Sequence, residues 1–166
     1  AYKNKITSMP EEKKAITVDG VRGYAGGGYF YGEGQPIYTW YMAKYAGVDK
    51  ETGEALYYKD TDKGETTTTN ASEATMHLCG TALPDAYGGF GTSVSYKGFD
   101  FSMDFTYQLG GKIYDSSYAS LMSISRGYSF HADLLDAWTP SNTSSDIPRI
   151  QYGDSYAAYT SDRFLV

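Results

Sequence analysis

The strongest constraint on this chain is an unbroken alternation of side-chain character over positions 101 to 109. Phe101, Met103, Phe105, Tyr107 and Leu109 fall on one parity, and Ser102, Asp104, Thr106 and Gln108 on the other. Successive side chains of a strand point to opposite faces, so this segment has one apolar side and one wet side. A preceding run repeats the pattern more weakly. Phe90, Thr92, Val94 and Tyr96 share one parity, and Gly91, Ser93, Ser95 and Lys97 share the other. The runs meet at Lys97-Gly98-Phe99, so residues 87 to 115 are predicted to form a hairpin with two aligned faces.

An apolar sheet face needs a cover, and the composition supplies little for a dry core. Among 166 residues, 18 are Tyr and 19 are Gly, while Leu, Ile and Val are few. Rings with polar tips suit half-wet surfaces better than packed interiors. The net charge of -6 argues against a phosphate-backbone partner, which demands a basic footprint, so no nucleic acid is expected. Lys3, Lys5, Lys13 and Lys14 form the one basic cluster, and Glu11 and Glu12 offset it.

Cys79 is the single cysteine, which excludes an intrachain disulfide and a thiolate metal site. It reads as a small half-buried residue, although His77 stands two positions away, on the same face of an extended segment. No signal peptide or helix-length apolar run is present, but amphipathic membrane strands escape a hydropathy window. The opening at Ala1-Tyr2-Lys3 and the strand-like close at Asp162–Val166 read as a piece of a longer chain.

Along the chain, Pro10 marks a strand end or loop, and Ala15-Ile16-Thr17-Val18 alternates. Residues 20 to 34 are dense in Gly and Tyr and read as a flexible or bulged aromatic strand, with no context for a phosphate cradle. Residues 36 to 48 read as one strand that turns through Asp49–Glu54 into Ala55-Leu56-Tyr57-Tyr58, a second hairpin. Asp60-Thr61-Asp62-Lys63-Gly64 begins like a calcium loop but lacks its closing carboxylate, so a solvated turn is expected. The Thr-rich residues 65 to 79 show little period and are expected to form an exposed loop. Asn70-Ala71-Ser72 and Asn142-Thr143-Ser144 match the glycosylation sequon, which matters only in a eukaryotic secretory setting. Asp133–Trp138 has helical spacing with an acidic start, closed by Thr139-Pro140, and fits a short helix. Ile147-Pro148-Arg149 is extended by its proline.

Several stretches, in order and over most of the chain, resemble the C-terminal part of the barrel of SusC/RagA-type TonB-dependent outer-membrane transporters of Bacteroidetes. They are Asn4-Lys5-Ile6, Gly34-Gln35-Pro36-Ile37-Tyr38, Ala46–Tyr58 and Leu83–Gly89. The fullest match runs from Tyr96-Lys97-Gly98-Phe99-Asp100 through Tyr107–Asp115, followed by Trp138–Thr143 and Ile147-Pro148-Arg149. The departures are the glycines at 26 to 28 and the Thr-rich loop, both where loops vary.

The resemblance implies an all-β fold of antiparallel strands from a transmembrane β-barrel, with long extracellular loops and a short helix in the last one. Residues 1–166 would be one partial barrel, with the plug, the TonB box and the remaining strands elsewhere. It implies a bacterial outer-membrane location and import of a glycan or peptide substrate. The implied partners are a SusD-like surface lipoprotein, outer-membrane lipid and, through the absent N-terminal part, the TonB complex. No catalytic, metal or cofactor site is implied. Phe101, Met103, Phe105, Tyr107 and Leu109 would face lipid, and Ser102, Asp104, Thr106 and Gln108 the lumen. Lys97-Gly98-Phe99 would be a periplasmic turn, and residues 112 to 161 an external loop in which Tyr114, Tyr118, Trp138 and Tyr156 are placed to touch cargo or a partner.

Two other classes compete. A soluble β-sandwich carbohydrate-binding module with an aromatic platform also predicts Tyr-rich strands, but it needs an apolar partner sheet for Phe101–Leu109, and none of that quality is present. An enzyme would need a defined acid and base. Asp133 with Asp136, or Asp49 with Glu51, have no spacing that singles them out, and solvated faces or a helix N-terminus explain them.

Overall fold

Tight turns at three points set the strand pairing. The computed structural model describes residues 4–61, 64–124, 129–150 and 161–166. Asp19-Gly20, Gly27-Gly28 and Lys97-Gly98 all have positive φ, and each pair lies between strand ends that are directly opposed. Two consecutive left-handed residues give a turn whose twist matches that of the strands it joins. The hairpins thus formed are β1 (Ile16–Val18) with β2 (Val21–Gly26), β2 with β3 (Tyr29–Gly32), and β9 (Ala86–Tyr96) with β10 (Phe99–Leu109).

β4 (Thr39–Ala43) and β8 (Met76–Thr81) complete a five-stranded sheet in the order β1-β2-β3-β4-β8. β5 (Tyr45–Val48), β6 (Ala55–Thr61) and β7 (Gly64–Thr68) form a three-stranded sheet, and β9 with β10 a separate ribbon. Every pairing between these strands is antiparallel, as the alternation predicts.

Three strand expectations are corrected. Residues 20 to 34 are not one bulged strand but two, β2 and β3, because the positive φ of Gly27 and Gly28 turns the chain between them. Residues 36 to 48 are not one strand, because the chain changes sheet at Lys44. The Lys44 carbonyl accepts the Tyr58 N–H at 3.1 Å, and the next N–H, of Tyr45, donates to Asp162 Oδ1 at 2.7 Å. Residues 65 to 79 are not a loop throughout, since Glu65–Thr68 pair along β6 and Met76–Cys79 lie in β8 beside β4. β-branched threonines favour strands, but a segment wet on both faces carries no alternation to reveal it.

The predicted second hairpin closes as read. The Asp49 N–H donates to the Glu54 carbonyl at 2.8 Å, and Asp49 Oδ1 accepts from Glu51 N at 2.8 Å and Thr52 N at 3.2 Å. The residues after β10 contain α1 (Ser116–Leu121), which the sequence reading did not anticipate, capped by Asp115 accepting the Tyr118 N–H at 2.8 Å. The helix expected at 133 to 138 is a 3₁₀ turn over Ala132–Asp136.

The core is divided and small. One cluster gathers Ala119, Met122, Leu134 and Phe164, and another Ala43, Ala55 and Tyr57. Phe30 is fully buried over Gly23 and Gly32, where a Cβ would lie 2.8 Å and 2.6 Å from its ring. None of these clusters includes a residue of the β9–β10 ribbon.

Candidate functional site

The ribbon is the part of the molecule whose chemistry its own fold leaves unanswered. Its register opposes Phe101 to Val94, Met103 to Thr92 and Phe105 to Phe90, so the apolar parities of both strands share one face. Phe90 and Phe105 stack across it at 5.0 Å. On the opposite face Ser102 meets Ser93, Asp104 meets Gly91, and the Ser95 hydroxyl donates to Asp100. Gly91 leaves room for the Asp104 carboxylate, which would lie 2.0 Å from a Cβ there.

Exposure of the apolar face runs from 39% at Met103 to 81% at Phe99, and both strands are exposed along almost their whole length. A contiguous apolar stripe of this kind marks a surface that meets lipid or another chain. Each strand is 11 residues long, the length that crosses a bilayer when tilted. The outer edges of β9 and β10 pair with no other strand among the described residues. Such edges are tolerated in hydrocarbon only when further strands close the ring.

The ribbon is tied to the rest of the molecule at the end away from its turn. The Asp85 N–H donates to the Leu109 carbonyl at 2.9 Å, and the Lys112 N–H donates to the Thr81 carbonyl at 2.8 Å. At this junction a cavity of about 450 Å³ is lined by Lys5, Pro36, Thr81, Leu83, Asp85 and Tyr87, among others.

The loop aromatics singled out from the sequence are engaged in packing. Tyr114 lies 6.0 Å from Phe164 and 6.4 Å from Trp40. Tyr118 shares that cluster, and its hydroxyl donates to Asp133 at 2.8 Å. Burial, and then this bond, push the Tyr118 phenol above its ordinary value. Trp138 covers Gly53, and its Nε1 donates to the Lys50 carbonyl at 3.2 Å. The structure therefore joins Tyr114 and Tyr118 around Phe164 and sets Trp138 on the Asp49–Glu54 turn, while Tyr156 lies outside the described residues.

A second aromatic group escaped the sequence reading. Tyr24 stacks on Tyr31 at 4.9 Å, and Tyr29 packs on Trp40 at 4.5 Å and edge-on to Tyr38 at 5.4 Å. The signal was present in the parity of Tyr29 and Tyr31 about the buried Phe30, but the surrounding glycines obscured it.

The groups considered for chemistry have structural partners. Asp49 is held below the ordinary carboxylate range by the Glu51 and Thr52 N–H groups. Cys79 is pushed up to about 11 by burial, and its sulfur neighbours the Met42 and His77 carbonyls and not an imidazole. His77 is committed through Nδ1 to Asp19 at 2.9 Å. Among the described residues no three His, Cys, Asp or Glu side chains are grouped to hold a metal.

Comparison with known proteins gives the family. No family model matches the chain. It is 30% identical over 132 residues to TonB-dependent receptor P3 of Formosa agariphila, a match covering 70% of this chain and 12% of that protein. It is 29% identical over 154 residues to TonB-dependent receptor P26 of the same organism, covering 84% of this chain and 15% of that protein. The chain thus spans a small part of the length of the curated relatives it matches. Among solved structures it is similar to the RagAB peptide transporter, with a TM-score of 0.72 and 25% identity over 97% of this chain and 17% of that one. It is also similar to the RagAB peptide importer in the closed-closed state, with a TM-score of 0.69 and 27% identity over 86% of this chain and 16% of that one. These relatives are transporters of the outer membrane and not enzymes. An all-β chain with a bilayer-length ribbon that cannot close on itself, it matches in sequence and in fold one part of the SusC/RagA-type TonB-dependent outer-membrane transporters.

Proposed function

We propose that residues 1–166 form part of the barrel wall and outer face of a TonB-dependent nutrient importer. The observation that carries this reading is the β9–β10 ribbon, with its aligned apolar face, its wet face and edges that no other described strand pairs. Phe101, Met103, Phe105, Tyr107 and Leu109 face lipid, Ser102, Asp104, Thr106 and Gln108 face the lumen, and Lys97-Gly98 turns on the periplasmic side. The two sheets of β1–β8 and the described residues between 112 and 150 then stand outside the membrane, where a SusD-like surface lipoprotein docks. The cargo is a peptide or a glycan, taken up with energy delivered by TonB through parts of the protein outside this stretch.

The test is a pair of substitutions in the complete transporter. Phe105→Arg places a charge at mid-membrane depth on the lipid face and is expected to cost roughly 2–4 kcal/mol of barrel stability. Asp104→Arg, one residue away on the opposite face, should assemble normally. Assembly is read from heat-modifiable mobility and surface protease resistance, and equal effects at the two positions would contradict the assigned faces.

A further inference from the structure

His77 sits on β8, paired with Met42 of β4, and its side chain is only 7% exposed. Its Nδ1 lies 2.9 Å from Asp19 Oδ1, in the turn between β1 and β2, and Asp19 Oδ2 also accepts the Leu78 N–H at 2.8 Å. Partial burial raises the Asp19 carboxyl, but the bonds from Leu78 and His77 outweigh it and hold the group below its ordinary value. An ionised carboxylate only accepts, so the hydrogen of a neutral His77 ring belongs on Nδ1. Nε2 is then left with a bare lone pair.

That atom is the one buried side-chain nitrogen or oxygen without a hydrogen-bond partner among the described residues. It faces Asp60 Oδ2 at 3.9 Å, across the boundary between the five-stranded and three-stranded sheets. A lone pair buried near a carboxylate is unfavourable, and a proton on Nε2 gives Asp60 reason to close the 3.9 Å gap into a charge-assisted hydrogen bond. Asp60 is anchored through its N–H to Thr75 Oγ1 at 2.8 Å, while its half-exposed carboxylate is free to swing toward the ring. Among the described residues, Lys44 is the other charged group acting on Asp19, whose ionised form it favours, and Asp162 and Lys112 act from farther along the same face, at Cys79. Cys79, on the same face of β8, has a thiol raised by burial and contributes no charge.

We propose that His77 is a proton-operated clasp between the two sheets outside the membrane. Singly protonated, it ties only the β1–β2 turn to β8. Doubly protonated, it also engages Asp60 on β6, so the two sheets lock in acid and loosen toward alkaline pH. The contacts of the clasp depend on neither the cargo nor the lipid-facing assignment of β9–β10, while its exposure to the pH of the medium rests on the proposed placement of these sheets outside the membrane.

Hydrogen exchange of the complete transporter in detergent tests this. After correction for intrinsic rates, segments 55–61 and 76–81 should exchange roughly tenfold more slowly at about pH 5.5 than at about pH 8. Asp60→Asn should abolish that difference while leaving protection of 86–109 unchanged, and His77→Gln should abolish it as well. Equal corrected protection at the two pH values, an acid gain that survives in Asp60→Asn, or a gain of the same size throughout 86–109 would overturn the clasp.

Discussion

Gly23 shows how closely single positions are constrained in the aromatic sheet. A Cβ there would stand 2.0 Å from the Tyr31 carbonyl oxygen as well as against the Phe30 ring, with backbone on one side and a buried ring on the other. Gly23→Ala is expected to destabilise the five-stranded sheet by roughly 1–3 kcal/mol through overpacking. Gly26→Ala, on the same strand with nothing within 4 Å of its Cβ, should stay within about 0.5 kcal/mol. Thermal unfolding of the two variants in the same detergent separates them. Asp49 carries a different kind of constraint. Its carboxyl is lowered in the folded turn, so its contribution is full above the ordinary aspartate value of about 3.9 and fades as pH falls through the lower folded value. Asp49→Ala should therefore loosen the β5–β6 turn near neutrality and flatten its acid dependence, as read by amide exchange at Glu51 and Thr52. An unchanged acid profile in the variant would remove Asp49 from that role.

Among the elements, the β9–β10 hairpin depends most on two backbone angles. Lys97 and Gly98 have φ of 46° and 86°, a region that costs most side chains about 1–2 kcal/mol. Gly98→Val should lower the yield of folded barrel, whereas Lys97→Asn, a residue suited to that conformation, should preserve or raise it. Folded yield after refolding into lipid vesicles is the measurement, and a Gly98→Val yield equal to the parent's would remove the turn from control of assembly. This hairpin was legible because one face had to be apolar and the other wet, so parity recorded its register from Phe90 to Leu109. The Asp49–Glu54 turn was legible because Asp and Gly have specific backbone uses there. What stayed hidden depends on contacts distant in sequence. The sheet change at Lys44 relies on Asp162, 117 positions beyond Tyr45, which no local pattern encodes. α1 is too short to show a period, and its cap at Asp115 looked like one more turn residue. Tyr114, Tyr118 and Trp138 were visible as aromatics, but only tertiary structure reveals that packing already uses them.

For the whole molecule, the division of labour is between sheets that bury their own residues and a ribbon that does not. Expressed alone in detergent-free buffer, residues 1–166 are expected to associate through Phe90, Phe101, Phe105 and Leu109, and to disperse when micelles cover that face. Light scattering across a detergent titration reads this, and a monodisperse monomer without detergent would contradict it. The two-residue turn at Lys97-Gly98 has a kinetic consequence too. Each contact of β9 with β10 closes a loop that grows outward from the turn, beginning with Tyr96 and Phe99, whereas Thr39 must find Thr81 across a long intervening chain. Hairpins of the first kind form in about 1–10 μs, and pairings of the second kind wait on loop closure. The ribbon is therefore expected to zip before the two larger sheets exist, which makes it a preformed two-stranded piece that carries its greasy face through water. Pulse-labelled exchange during refolding should find 86–109 protected ahead of 39–43 and 76–81. With the lipid-facing assignment proposed for this ribbon, the folding step most in need of a chaperone is the passage of an already paired hairpin to the membrane.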